Sequence, residues 1–217
     1  MTGAVLIVGA GPGVGQAVAR RFGREGHPIG LLARDVDRLS AQVRDLKGTG
    51  IHALSAAADI LDVHALQEAL TQLTDALGVP EVVLFSPLPD ANLIKPVLNT
   101  TPADLGASLA LNVIGAAAVV EAVLPGMRAA DRGSLLFTTG SGALNPSADR
   151  AASAVTTTAA TTYIRLLAGA LASGGVRVHH VVVVGPVGPG LQHEPSTVAE
   201  RLWQAHAGDG ASYTEIR

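Results

Sequence analysis

Glycine recurs at every second position of one short segment, Gly9–Gly15 (GAGPGVG). The five residues before this segment, Ala4–Val8, form the apolar run expected of a buried parallel strand. A helix pattern starts directly after the glycine segment. Glycines in such a place let the backbone turn sharply and approach a phosphate, while the free amides and the dipole of a helix start favour its negative charge. The spacing therefore predicts a pyrophosphate cradle, whose contacts we assign to Gly9, Gly13, Val14 and Gly15.

Arg34 follows the second predicted strand and bears on which dinucleotide is bound. An arginine at this point can pair with the 2′-phosphate of NADP, whereas an acidic residue would accept hydrogen bonds from the ribose of NAD. We therefore expect NADP(H) to be favoured over NAD(H). The competing interpretation is a solvated arginine paired with Asp35 or Asp37.

Asp59 and Ile60 follow the third predicted strand. The carboxylate of Asp59 can accept a hydrogen bond from the adenine amino group while Ile60 packs on the ring. Asp59 is equally suited to cap the helix that begins near Val63, because aspartate is a preferred N-cap residue. The residue types alone favour neither role over the other.

Apolar strand patterns and helix patterns alternate along the chain. We predict strands near 4–8, 28–32, 51–56, 81–85, 133–138 and 176–184, helices near 14–25, 36–47, 62–77, 102–130, 151–173 and 196–206, and a candidate seventh strand in the tail. The alternation predicts an α/β fold: one doubly wound Rossmann-type domain over 1–217, with a mostly parallel sheet of six or seven strands flanked by helices. Ligands of such sheets bind beyond the carboxyl ends of the strands.

Composition narrows the classes of function. The chain has 217 residues, 48% of them hydrophobic, which suffices for one core. A net charge of −3 without a basic run argues against nucleic acid or an anionic membrane as partner, and the lack of cysteine excludes thiol catalysis. No signal peptide and no uninterrupted apolar segment of about 20 residues is evident, so we expect a cytoplasmic protein outside the membrane. The scattered histidines suggest no metal site.

With these motifs the chain resembles the short-chain dehydrogenase/reductase family over nearly its whole length. The residues that carry the resemblance are Gly9, Gly13 and Gly15 in a G-x-x-x-G-x-G loop, Ala33-Arg34, Asp59-Ile60, Leu111-Asn112-Val113, Gly175–Val178 and Gly185-Pro186-Val187. The resemblance implies an NAD(P)-dependent oxidoreductase of alcohols or ketones, with a small-molecule substrate and with Gly185 and Val187 at the cofactor. It also implies a homo-oligomer, and the small residues of the helix over 151–173 favour a dimer through that helix and 102–130.

The chain departs from the family where the chemistry is done. The family carries a serine at the end of the fifth strand, a tyrosine about 13 residues later and a lysine four residues beyond, so that the ammonium lowers the phenol's pKa. Here these positions hold Gly140, with Ser141 next to it, Ser153 and Thr157. An aliphatic hydroxyl is a far poorer proton donor than such a phenol. The family's N-N-A-G turn is also replaced, by Phe85-Ser86-Pro87-Leu88.

Ser141, Ser153 and Asn112 are the remaining candidates for a catalytic role at this edge. In active relatives the asparagine connects the lysine to water; without a lysine, we expect Asn112 instead to satisfy buried backbone groups. His193, Asp149 and Arg150 can also lie near the substrate edge.

Three functions fit these observations. The first is an NADP(H)-dependent oxidoreductase whose proton comes from water or a substrate group held by Ser141 or Ser153. The second is a catalytically inactive sensor or partner subunit that binds the cofactor. The third is a redox-neutral enzyme, such as a cyclase or isomerase, on the same fold.

Overall fold

The computed structural model describes residues 2–208 and 211–217. Within these residues, seven strands form a single parallel sheet in the order β3-β2-β1-β4-β5-β6-β7. The strands are β1 (Ala4–Val8), β2 (Ile29–Ala33), β3 (Ala53–Ala57), β4 (Pro80–Phe85), β5 (Gly133–Gly140), β6 (Val176–Val183) and β7 (Tyr213–Ile216). The predicted doubly wound α/β fold is confirmed, with the tail as a seventh strand. The strand order reverses between β1 and β4, and this is where such sheets open a ligand crevice.

Helices cover both faces of the sheet. They are α1 (Val14–Gly23), α2 (Val36–Gly48), α3 (Val63–Leu77), α4 (Pro102–Leu109), α5 (Gly115–Ala129), α6 (Ala151–Leu171) and α7 (Pro195–Ala207). The predicted single helix over 102–130 is interrupted, because a π-helical turn, Ala110–Ile114, joins α4 to α5. Short 3₁₀ turns occupy the connection between β4 and α4 at Ala91–Leu93 and Val97–Asn99.

Side-chain caps set where several helices begin. Asp35 accepts from the amide of Arg38 at the start of α2, and Asp62 accepts from the amide of Ala65 at the start of α3. Thr101 begins α4 by exchanging hydrogen bonds with Asp104. In contrast, α1 begins at Gly13 without any side-chain cap. Its first amides are therefore left for another acceptor.

Two apolar layers hold the helices on the sheet. One layer joins β-strand residues such as Leu6 and Phe85 to α3, α5 and α6, and the other joins Ile7 and Leu84 to α1, α2 and α7. Burial of these layers is the main stabilising contribution to a domain of this size. Tyr163, on α6, packs against the first layer, and burial raises the pKa of its phenol.

The helical segment Pro102–Ala129 corrects the expectation that no apolar segment of membrane-spanning length is present. Among the described residues, Pro102–Ala129 is long and apolar enough to cross a membrane by length and composition alone. Its inner side is a core surface, on which Val119, Val123 and Met127 are buried against the sheet. Because a core helix needs the same composition, this segment is weak evidence for a membrane span.

Candidate active site

The glycine loop is shaped by two close backbone approaches and one open position. Gly9 has φ 89°, and a Cβ there would lie 2.6 Å from the carbonyl oxygen of Ser86. A Cβ on Gly15 would lie 2.9 Å from the Cα of Ala10. At Gly13, by contrast, a Cβ would meet no heavy atom of the described chain within 4 Å. Gly9 and Gly15 thus close the turn, and Gly13 faces open space.

The amides at the start of α1 point to an anion. Gln16 and Ala17 donate their amides to carbonyl oxygens of the loop, at 3.0 and 3.1 Å. Within residues 2–208 and 211–217, the amides of Gly13, Val14 and Gly15 have no acceptor. Free amides at a helix start, beside an open glycine, form a cradle that fits a diphosphate.

Arg34 pairs with Asp59 and not with the carboxylates of its own segment. Its Nη1 lies 3.8 Å from Oδ2 of Asp59, and 74% of its side chain is exposed. Asp35 instead caps α2 and lies 3.6 Å from Arg38. Among the described residues Arg34 makes no ion pair with Asp35 or Asp37, so that part of the alternative is wrong, whereas its guanidinium is solvated as the alternative expected.

Asp59 does not cap α3. Asp62 takes that role, and Asp59 accepts instead from the amide of Leu61 at 3.0 Å. The N-cap alternative for Asp59 is wrong because the helix begins one turn later than that role requires. Its neighbour Ile60 is buried against Gly115 at the start of α5, so that little of it is left to touch a ligand.

The turn after β5 lies directly on α6. A Cβ on Gly142 would come within 2.6 Å of Oγ1 of Thr157 and 3.1 Å of the carbonyl oxygen of Ser153. Thr157 is buried, and its hydroxyl donates to that same carbonyl at 2.8 Å. Thr157 therefore uses its proton within its own helix.

Two serine hydroxyls at this edge remain uncommitted. Ser141 opens the turn after β5, and Ser153 lies in the first turn of α6; both are partly exposed. Neither hydroxyl makes a hydrogen bond to any part of the chain that the structure describes. Both are available to water or a substrate oxygen.

Asn112 lies in the π-helical turn. Its Nδ2 donates to the main-chain carbonyl of Ser108, four residues earlier, at 2.9 Å. That carbonyl would otherwise accept a backbone amide, so the side chain accounts for the local widening of the helix. The Ser108 hydroxyl in turn lies 3.1 Å from that of Thr156 on α6. Asn112 thus contacts backbone, and a role toward substrate stays a prediction.

The sequence profile of the family described as short chain dehydrogenase matches residues 3–197. The chain belongs to the short-chain dehydrogenase family. A 3-dehydrosphinganine reductase of Arabidopsis thaliana is 29% identical over 130 residues, which are 59% of this chain and 38% of that protein. A (2S)-[(R)-hydroxy(phenyl)methyl]succinyl-CoA dehydrogenase subunit of Thauera aromatica is 28% identical over 131 residues, 60% of this chain and 51% of that one. The chain thus spans about half or less of these relatives.

The fold matches a solved family member closely. The NADPH-bound structure of a short chain oxidoreductase from Pseudomonas aeruginosa PAO1, which contains an atypical catalytic center, superimposes with a TM-score of 0.90. The two chains are 17% identical, and the match covers 99% of this chain and 95% of that one. At this identity the likeness establishes the fold.

The chain also contains two hydroxyl contacts that the residue pattern did not predict. Thr138 on β5 donates to the hydroxyl of Ser86 at 2.6 Å, and Thr139 lies 2.8 Å from Nε2 of His180 on β6. Burial lowers the pKa of His180 to about 4, so its ring is neutral at pH 7. Only strand register brings these residues together, and the replacement of the N-N-A-G turn at Ser86 was the one available signal.

The loop after β6 is held by its own contacts. His193 is buried, and its Nε2 lies 2.8 Å from the carbonyl oxygen of Val184. Gly185, with φ 115°, packs against Gln192, and Val187 pairs with His193. His193 therefore stabilises the loop that carries Gly185 and Val187, and in the described residues it makes no hydrogen bond or ion pair with Ser141, Asp149 or Arg150.

Proposed function

We propose that this chain is an NADP(H)-dependent oxidoreductase that acts on a small carbonyl or alcohol substrate with a nonstandard proton donor. The observation that carries the proposal is the glycine cradle. Gly13 is open, the amides of Gly13, Val14 and Gly15 have no acceptor in the described chain, and Gly9 allows no side chain. A nicotinamide cofactor held by this cradle would supply or accept the hydride.

The preference for the phosphorylated cofactor rests on Arg34. Its exposed guanidinium lies at the carboxyl end of β2 and is directed toward Asp59 at the end of β3. A 2′-phosphate at this edge would receive a planar, permanently charged donor group. Asp59 is proposed for the adenine, and Gly185 and Val187 for the opposite end of the cofactor.

The proton is proposed to pass through Ser141 or Ser153. Their hydroxyls are free, whereas Thr157 donates to its own helix. Each serine can hold a water or orient the substrate oxygen. General acid–base assistance is worth about 10²–10⁴-fold in rate, so turnover without the phenol and ammonium should be slow.

A partner subunit that binds the cofactor without turnover is the second candidate. The absence of tyrosine and lysine at Ser153 and Thr157 favours it. One relative, from Thauera aromatica, is itself named as a dehydrogenase subunit. Turnover by the purified chain alone would separate the two candidates.

We further propose a cytoplasmic homodimer through 102–130 and 151–173. Ile114, Val155 and Leu166 are large apolar side chains exposed on these segments. Pairing two copies would remove them from water. Light scattering at working concentration tests the pairing, and a monomer would contradict it.

A fluorescence titration with NADPH and, separately, NADH tests the proposed cofactor. We expect NADPH to bind more tightly, and Arg34→Ala to weaken NADPH binding about 10- to 100-fold, because a hydrogen bond to a charged group is worth about 1.5–3 kcal/mol. NADH binding should change little. Arg24→Ala, an exposed arginine just after α1, is the matched control. Equal binding of both cofactors, or of neither, would contradict the proposal.

A further inference from the structure

Large apolar side chains stand in water on the connection between β4 and α4. Leu88, Ile94, Val97 and Leu98 are all exposed there. Leu88 and Leu98, at 88% and 94%, are the most exposed large apolar side chains of the described chain. We call Leu88, Val97 and Leu98 the apolar rim. Large exposed apolar surface on a folded domain is a feature of ligand-binding grooves and interaction sites.

The rim belongs to the candidate active site. Its connection begins against the glycine cradle, since a Cβ on Gly9 would lie 2.8 Å from the Cα of Pro87. Further along, the carbonyl oxygen of Lys95 accepts the amide of Ala151 at 3.2 Å, two residues before Ser153. The rim is thus held between the cradle and the start of α6.

Both charged side chains of this connection are used within the fold. Asp90 accepts from the amide of Asn92 at 2.9 Å, and Nζ of Lys95 lies 2.8 Å from Oδ1 of Asp104. Hydrogen bonds from Lys95 and Thr101 lower the pKa of Asp104 to about 2, so this ion pair persists at neutral pH. The connection therefore offers a ligand several apolar side chains and the exposed carboxylate of Asp90, while its one cation, Lys95, is already paired.

A second loop adds an apolar side chain. Leu191, 52% exposed, lies on the loop after β6. Because β4 and β6 flank β5 in the sheet, the loops that follow them lie on either side of the turn that carries Ser141. A substrate oxygen near Ser141 would have apolar surface available on both sides.

We infer that the substrate is a ketone or secondary alcohol carried on a hydrocarbon chain, whose methylenes lie along the apolar rim and Leu191. This inference rests on the proposed function and names its substrate class. Sugars and phosphorylated ketones are disfavoured because the rim cannot replace the water around their polar groups. Each methylene that is fully removed from water tightens binding about fourfold. A methylene that is only half-buried tightens binding about twofold.

Displacement of Nile red by 2-alkanones tests the substrate class without requiring turnover. From 2-heptanone to 2-undecanone the dissociation constant should fall about 16-fold, as four methylenes become half-buried. Dihydroxyacetone should not displace the dye. An affinity independent of chain length would overturn the inference.

Two matched variants place the binding on the rim. Val97→Ser should weaken the binding of 2-undecanone at least threefold. Val79→Ser makes the same change at a similarly exposed valine beside the amino end of β4 and should have no effect on that binding. Equal effects of the two variants would overturn the inference. Titration of both variants with NADPH checks separately that the cradle is intact. Long-chain alkanones that bind but are never reduced would support the role of the apolar rim and contradict the proposed oxidoreductase activity.

Discussion

The glycine cradle and the β5–α6 edge lie at the same end of one sheet and differ in what they retain. In the cradle, Gly9 and Gly15 occupy positions where a side chain would collide with backbone. The amides at the start of α1 that have no acceptor in the described residues are available to an anion. At the β5–α6 edge, Ser153 and Thr157 stand where the family carries a phenol and an ammonium. The buried Thr157 hydroxyl bonds only its own helix.

The difference separates binding from chemistry. The cradle depends on backbone shape, which glycines impose and which folding itself requires. Proton transfer depends on particular side-chain functional groups, and these can be replaced without disturbing the sheet. A chain can therefore keep a dinucleotide site while losing the usual proton donor.

Among single substitutions, the largest effect should come from closing the cradle. Gly9→Ala should lower the free energy of unfolding by about 3 kcal/mol, because a positive φ and an overlap with Ser86 add together. NADPH binding should be lost with it. Gly13→Ala, at the open position, should cost no more than about 1 kcal/mol while still weakening NADPH. Urea unfolding and cofactor titration measure both quantities; equal destabilisation by the two variants would contradict the cradle geometry.

Acid should weaken the β5–β7 side of the sheet. Burial lowers the pKa of His180 and of His206 from 6.5 to about 4. The folded state therefore binds fewer protons than the unfolded state between these values, and stability falls as pH falls through this window. Each histidine should cost about 2 kcal/mol by pH 5.

Urea unfolding at pH 7 and pH 5 measures this loss. His180→Gln should reduce the pH dependence, since it removes one of the histidines whose pKa is lowered by burial. His64→Gln, an exposed histidine on α3, should leave it unchanged. An unaltered pH dependence in His180→Gln would argue against a buried neutral ring at that site.

The smallest effect concerns the β5–α6 edge. With a substrate in hand, Ser153→Ala should lower kcat about tenfold if its hydroxyl holds the proton-donating water. Thr157→Val, one helical turn away, should stay within twofold because its hydroxyl is already bonded to the Ser153 carbonyl. The two rates are measured as NADPH consumption, and their ratio shows whether the Ser153 hydroxyl contributes more to turnover than the Thr157 hydroxyl. Equal rates for both variants and wild type would place the proton donor elsewhere.

Much of the fold was predictable from local pattern. The apolar runs that become β1, β2 and β4–β6 are continuous because both faces of a parallel strand are buried, and the glycine loop follows the first of them. The π-helical turn was not predictable, since it depends on where Nδ2 of Asn112 finds a carbonyl. The cap of α3 was also ambiguous, because Asp59 and Asp62 are the same residue type three positions apart.

The sequence by itself determined the strand and helix alternation, the glycine cradle, the family, and the loss of tyrosine and lysine, because each depends on residue type and short spacing. Tertiary structure alone decided that Arg34 meets Asp59, that Thr139 meets His180, that Gly142 lies on Thr157, and that Leu88 and Leu98 remain exposed. These contacts join residues distant in the chain. They depend on strand order, register and loop packing, which no local pattern encodes.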